Sequence, residues 1–390
     1  MRRFDAVERR ARLARRHHLS PADRAPDVLT ASDGVVCLHA TDPATVYLSA
    51  RARVDGLTVA DLDKALYVDR TLVKHMGMRR TLFVFRRELL GVIQAAASGR
   101  VADQERRRLA KEVEKAGLVA DGPAWLADAS AAALEALDRV GEATSTELRA
   151  TVALLQGETV YAPDKPYGGS SPVGPRVLTC LSAAGEILRA NNRAGWANSR
   201  PTWSRTATWL GERTVVPPER EARAELVRRW LRAFGPAMVA DLKWWLGSTL
   251  TATRAALGDV DAVEVELDGG TGVALPDDLE PEGPVEPYGV LLPALDPTTM
   301  GWYEREWYLG PHRSAVFDRN GNGGATAWWD GRIVGGWAQA ADGEVYLQLL
   351  EDVGSEATAA LEGEATRLTG WLDGVRVAPR FPSPLARAGR

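Results

Sequence analysis

The chain has 390 residues, is 45% hydrophobic and 26% charged, and carries a net charge of −4, a composition that suits two to four packed globular domains. It contains no uninterrupted apolar run near the roughly 20 residues of a bilayer span, and no apolar secretory stretch follows its first positive charges, so a cytoplasmic protein without a membrane partner is expected. Two lone cysteines, Cys37 and Cys180, and five scattered histidines argue against a disulfide framework or a zinc site, and no metal or cofactor is expected.

In chain order, the first unit (1–120) opens with a helix over 2–16. A second helix is expected from Asp42-Pro43, where Asp can cap and Pro suits the first turn. A third begins near Thr58, spaced from Asp61 as in a capping box, and is expected to run through ADLDKALYVDRTLVKH. RRTLFVF alternates as a strand does, and RRELLGVIQAAAS returns to helical spacing.

The second unit (121–215) holds two helical stretches, with a cap at Thr144 three residues before Glu147. A Gly/Pro-rich loop, DKPYGGSSPVGP, then leads to the helix RVLTCLSAAG with Gly185 as its C-cap. The following EILRANNRAGWANSRPTWSRTATWL reads as strand, turn, strand, a wing. The third unit (216–280) repeats the order, with three helical stretches and a hairpin alternating around a GGTG turn. A Pro/Glu linker, PDDLEPEGPVEP, separates it from a C-terminal part (287–390) of short strands joined by Asp-Gly turns before a last helix. The pattern predicts an α+β chain of tandem winged-helix domains with a C-terminal antiparallel β-rich domain.

Charge is unevenly spread along this frame. Residues 1–120 carry 23 Lys+Arg against 15 Asp+Glu, an excess of 8, whereas 255–304 hold 12 acids and no Lys or Arg. A polyanion is therefore expected to bind through the N-terminal and middle parts.

The segment VVCLHATDPATVYLSARARV, together with GMRRTLFVF, VLTCLSAAGEILRA, VLLPALDP and WWDGRIVGGW, resembles the AlkZ/YcaQ family of winged-helix DNA glycosylases over nearly the whole chain. Family members carry Gln-x-Gln or Gln-x-Asp before the D-P helix start, where this sequence has His39-Ala40-Thr41 and then Asp42. The resemblance implies an enzyme that cuts alkylated or crosslinked bases from double-stranded DNA, with His39 and Thr41 in the catalytic positions, and a role in self-resistance to an antibiotic. It implies a nucleoid-associated monomer.

The residues themselves allow that chemistry. His39, Thr41 and Asp42 join an imidazole, a hydroxyl and a carboxylate at a helix start, and such a cluster can hold water. A purine alkylated at N7 or N3 is already cationic, so the task is to stabilise a positive sugar and deliver water. Helix capping alone would also explain Asp42. For DNA contacts the wing offers Arg189, Arg193, Trp196, Arg200, Trp203 and Arg205, and the first unit offers Arg79 and Arg80. No lysine stands near 39–42 in sequence, the nearest being Lys64 and Lys74, which points to a monofunctional glycosylase. A winged-helix regulator and a drug-sequestering protein are the other readings; the nearly uncharged RVLTCLSAAG speaks against base reading by a regulator.

Overall fold

The computed structural model describes residues 1–161 and 168–388. The fold is α+β, with small antiparallel sheets distributed along a largely helical chain. Among the described residues no helix is long and apolar enough to cross a membrane.

In the first unit Asp42 caps the helix Pro43–Arg51 by accepting from the Ala44 amide, with Pro43 in the first turn, and Thr58 and Asp61 form the expected capping box at the start of Val59–Asp63. The helix expected to reach His75 stops earlier. Arg70 takes a left-handed φ of 55°, and Leu72–Met76 is a strand paired with Leu82–Arg86, which in turn pairs with Leu38–His39. Pairing sets Val73 level with Phe85 and His75 level with Phe83, and buries Leu72, Val73 and His75 in the sheet.

The second unit has its capping box at Thr144 and Glu147, the helix Val173–Ala183, and Gly185 at φ 76° closing it. Strands Ile187–Asn192 and Pro201–Arg205 pair as the expected wing and are joined by the short strand Ala143–Thr144. The segment expected to be a loop is partly paired, with Glu158–Tyr161 antiparallel to Gly169–Pro172; its residues 164–167 lie outside the described residues.

The third unit packs helices Glu219–Phe234, Val239–Leu246 and Leu250–Asp259 beside the hairpin Val263–Leu267 and Gly270–Ala274. Its turn is Asp268-Gly269 rather than GGTG, since Leu267 already faces Gly270. Arg3–Phe4 adds a parallel strand to this hairpin, so the first residues complete the third unit's sheet, and the first helix runs from Ala6, capped by Asp5.

The acidic linker does more than connect. Asp278 takes Arg12 at 2.9 Å and Arg16 at 2.7 Å, and Glu282 takes Arg16 at 2.7 Å. Much of the N-terminal positive charge is consumed internally, which corrects the expectation that this stretch offers a free basic face.

The C-terminal sheet runs Gly289–Leu292, Thr326–Trp329, Arg332–Gln339, Val345–Leu349, all antiparallel, with the helix Gly354–Leu372 packed on it. The Asp330-Gly331 turn has both residues left-handed, as a tight hairpin requires. One large core joins the first and third units to Val290, Trp328 and Ile333 of this sheet and takes in Leu188, Ala190, Trp209 and Leu210 of the second unit, most of which packs in a second core.

Candidate active site

The motif residues stand between two cores. The helix Pro43–Arg51 turns Val46, Tyr47 and Ala50 into the large core and Ala44 and Leu48 into that of the C-terminal sheet, so both flanks are packed. Polar bonds fix it further: Thr45 donates to the Ala294 carbonyl at 2.8 Å and Ser49 to Asp296 at 2.6 Å. Arg53, just past the helix, forms a fork with Asp296 at 2.9 and 2.8 Å, and both side chains are fully buried. Asp296 belongs to VLLPALDP, so that stretch is the anchor of the motif helix.

His39 is only 7% exposed and packs edge-on against Phe83, ring centroids 5.5 Å apart. A cluster able to hold water was expected here; the imidazole itself is nearly enclosed. Burial, then the nearby Arg79 charge, pushes its pKa down to about 3, so the ring is neutral. Its Nδ1 accepts a long 3.4 Å bond from the Thr41 amide, which leaves the ring proton on Nε2. Held this way, the ring donates from Nε2 and has little basicity to spare.

Thr41 is partly exposed, and Asp42 is 7% exposed. One Asp42 oxygen accepts from the Ala44 amide at 3.3 Å, the other from the Arg380 amide at 3.0 Å. Asp42 also lines a cavity of about 660 Å³ bounded by Ala44, Thr45, Leu48, Trp337, Tyr346 and the segment 376–386. That volume accommodates a nucleobase-sized group with a carboxylate at its wall.

The remaining expected residues divide. Arg79 and Arg80 both take left-handed backbone (φ 54° and 60°); Arg79 stacks 3.9 Å from the Trp244 centroid and Arg80 pairs with Glu105 at 3.0 Å. In the wing, Arg193 pairs with Glu147 at 2.7 Å and Arg205 with Asp138 at 3.3 Å. Trp203 is buried under Arg189, whose guanidinium lies 5.2 Å from its centroid, and Trp196 packs between Tyr47 and Trp371, each 5.4 Å away. The wing tip thus docks on the motif helix. Arg200 is exposed and makes no ion pair among the described residues.

Two further groups act on Asp42 or feel its charge. Lys74, on the strand first expected to be helix, lies level with Val84 and Leu38, and burial and the Arg189 charge bring its ammonium down to about 7 against the opposing pull of Asp42. Arg380 reaches Asp42 from 338 positions away. Lys74 was already one of the two lysines nearest the motif in sequence; for Arg380 there was no signal.

Comparison with known proteins adds to this geometry. The family model described as DNA glycosylase AlkZ-like matches residues 33–371, which include the 39–42 motif. No curated protein matches the sequence. Among solved structures, Streptomyces sahachiroi DNA glycosylase AlkZ aligns with a TM-score of 0.73 at 21% identity, over 97% of this chain and 100% of that one. At that identity the likeness shows a shared fold.

Proposed function

The chain belongs to the AlkZ-like DNA glycosylase family, and on that premise we propose that it hydrolyses the N-glycosidic bond of bulky N7-alkylguanine or N3-alkyladenine in duplex DNA, acting as a monomer and leaving an abasic site. The helical units with their hairpins are read as winged helices holding the duplex. The observation that carries the reading is Thr41 and Asp42 at the start of a helix immobilised between two cores, inside the span the family model matches.

In this reading the Asp42 carboxylate stabilises the positive charge that grows on the sugar as the bond from C1′ to nitrogen breaks. Both bonding electrons leave with the base and cancel its charge. Water, placed by the Thr41 hydroxyl and the Nε2 proton of His39, bonds to C1′ and passes its proton to Asp42. The neutral, poorly basic imidazole is why His39 orients here and Asp42 accepts.

Duplexes carrying N7-methylguanine, N3-methyladenine or a bulky N7-guanine adduct, assayed for free base and alkali-sensitive sites, test this. Release from at least one lesion, with no preference for an undamaged operator sequence, is expected. Selective operator binding without release from any lesion supports the regulator instead.

A further inference from the structure

The strand Leu72–Met76 of the first unit packs against the wing strand Ile187–Asn192, and the C-terminal segment crosses beside them where the Arg380 amide meets Asp42. Lys74 and Arg189 stand on these two packed strands, and the Arg380 charge acts on Arg189 from the C-terminal segment. None forms an ion pair among the described residues. The Arg189 Nε is buried with no hydrogen-bond partner there. Asp42 is the carboxylate whose field reaches Lys74, and both its oxygens already accept backbone amides.

Crowded like charges with one nearby carboxylate between them are costly, and each weakens its neighbour's hold on a proton. Burial and Arg380 bring Arg189 down to about 10, and burial and Arg189 bring Lys74 to about 7. Such a cluster is stabilised by an anion. An isolated carboxylate would satisfy one cation; a phosphate, with several acceptor oxygens, matches a guanidinium fork and an ammonium together.

We propose that Lys74, Arg189 and Arg380 form a preorganised site for one phosphodiester of the DNA backbone, which sets the register of the strand against Thr41 and Asp42. The proposal rests on the DNA-binding part of the function given above and is independent of base release. It makes the wing and the C-terminal segment parts of one site with the motif, and it gives the enclosed wing a purpose other than probing the groove. Bringing the phosphate in also restores the proton on Lys74, so binding takes up a proton near neutral pH. The groups facing Lys74 that tune this are Arg189 and Asp42, with Arg380 acting through Arg189.

The test uses the full chain and an undamaged duplex, with Lys74→Met, Lys74→Arg and Arg380→Gln, each checked for unchanged thermal midpoint. Lys74→Met is expected to lower the slope of log affinity against log salt by about 1 and to weaken damaged and undamaged DNA alike. Arg380→Gln should do the same to a smaller degree. Lys74→Arg should keep the affinity and lose the decline in wild-type binding expected between pH 6 and 8. Inorganic phosphate alone, titrated to millimolar levels, should compete with DNA in the wild type more than in Lys74→Met. These shifts in a protein that releases no base would keep the phosphate site and remove the glycosylase. Unchanged affinity and salt slope in folded Lys74→Met and Arg380→Gln overturn the site, as does borohydride trapping of abasic DNA on Lys74, which would make that amine a nucleophile.

Discussion

His39 is a neutral donor set in a nearly closed wall, and that fixes its expected behaviour. Because its pKa lies near 3, it stays uncharged throughout the range in which duplex DNA is stable, so base release should show no limb between pH 5 and 8 that belongs to this ring. His39→Ala should slow release by roughly 10² to 10⁴ while DNA affinity stays within a few-fold. A limb near pH 6.5 that vanishes in this variant contradicts the assignment, and near-normal release removes it. The identity of His39, Thr41 and Asp42 as a cluster was legible in the sequence, because all three lie within four residues. Their exposure was not, since Phe83 and Arg79, which enclose and electrostatically tune the ring, are about 40 residues away. Arg380 was invisible as a neighbour of Asp42 for the same reason, whereas Lys74 was one of the two lysines nearest the motif in sequence.

At the scale of elements, the motif helix owes its position to the Arg53 and Asp296 pair. Replacing Asp296 with Asn leaves a buried guanidinium without its counter-charge, which should cost about 3–5 kcal/mol. Urea unfolding measures this directly, and a loss below about 1 kcal/mol shows that the pair does not carry the helix. Local signals were good guides to such elements. The Asp42-Pro43 start, both capping boxes and the Gly185 cap follow from hydrogen-bond geometry within a few residues, and all were readable. The strand Leu72–Met76 was not, because its preference is decided by its partner Leu82–Arg86 and by a left-handed Arg70 that no local rule demanded. The hairpin turn at Asp268-Gly269 was displaced for a simpler reason: three adjacent small residues offered a competing register.

For the whole molecule, the order of helical units and ribbons was visible in the pattern, but the distribution of free charge was not. The basic N-terminal helix lies against the acidic linker, while Lys74 and Arg189, which form no ion pair among the described residues, stand on the packed strands of the first unit and the wing. Burial also shapes the response to acid. His17, His39 and His75 are all held below the usual histidine value, so the unfolded chain binds protons that the folded chain refuses, and stability should fall as pH drops below about 6.5. His75, whose ring nitrogens have no partner among the described residues, contributes down to about 4; His75→Phe should flatten that part of a urea midpoint against pH, and an unchanged curve counts against it.

Hydrolysis of a glycosidic bond at the 39–42 motif is the proposed reaction. The most direct measurement is a single-turnover reaction on a duplex with one bulky N7-alkylguanine, following free base and alkali-sensitive abasic site together. The two should appear at equal rates and in one-to-one amounts, with the strand uncut before alkali. A duplex recovered intact, with the modified base still attached after bound protein is confirmed, contradicts the account.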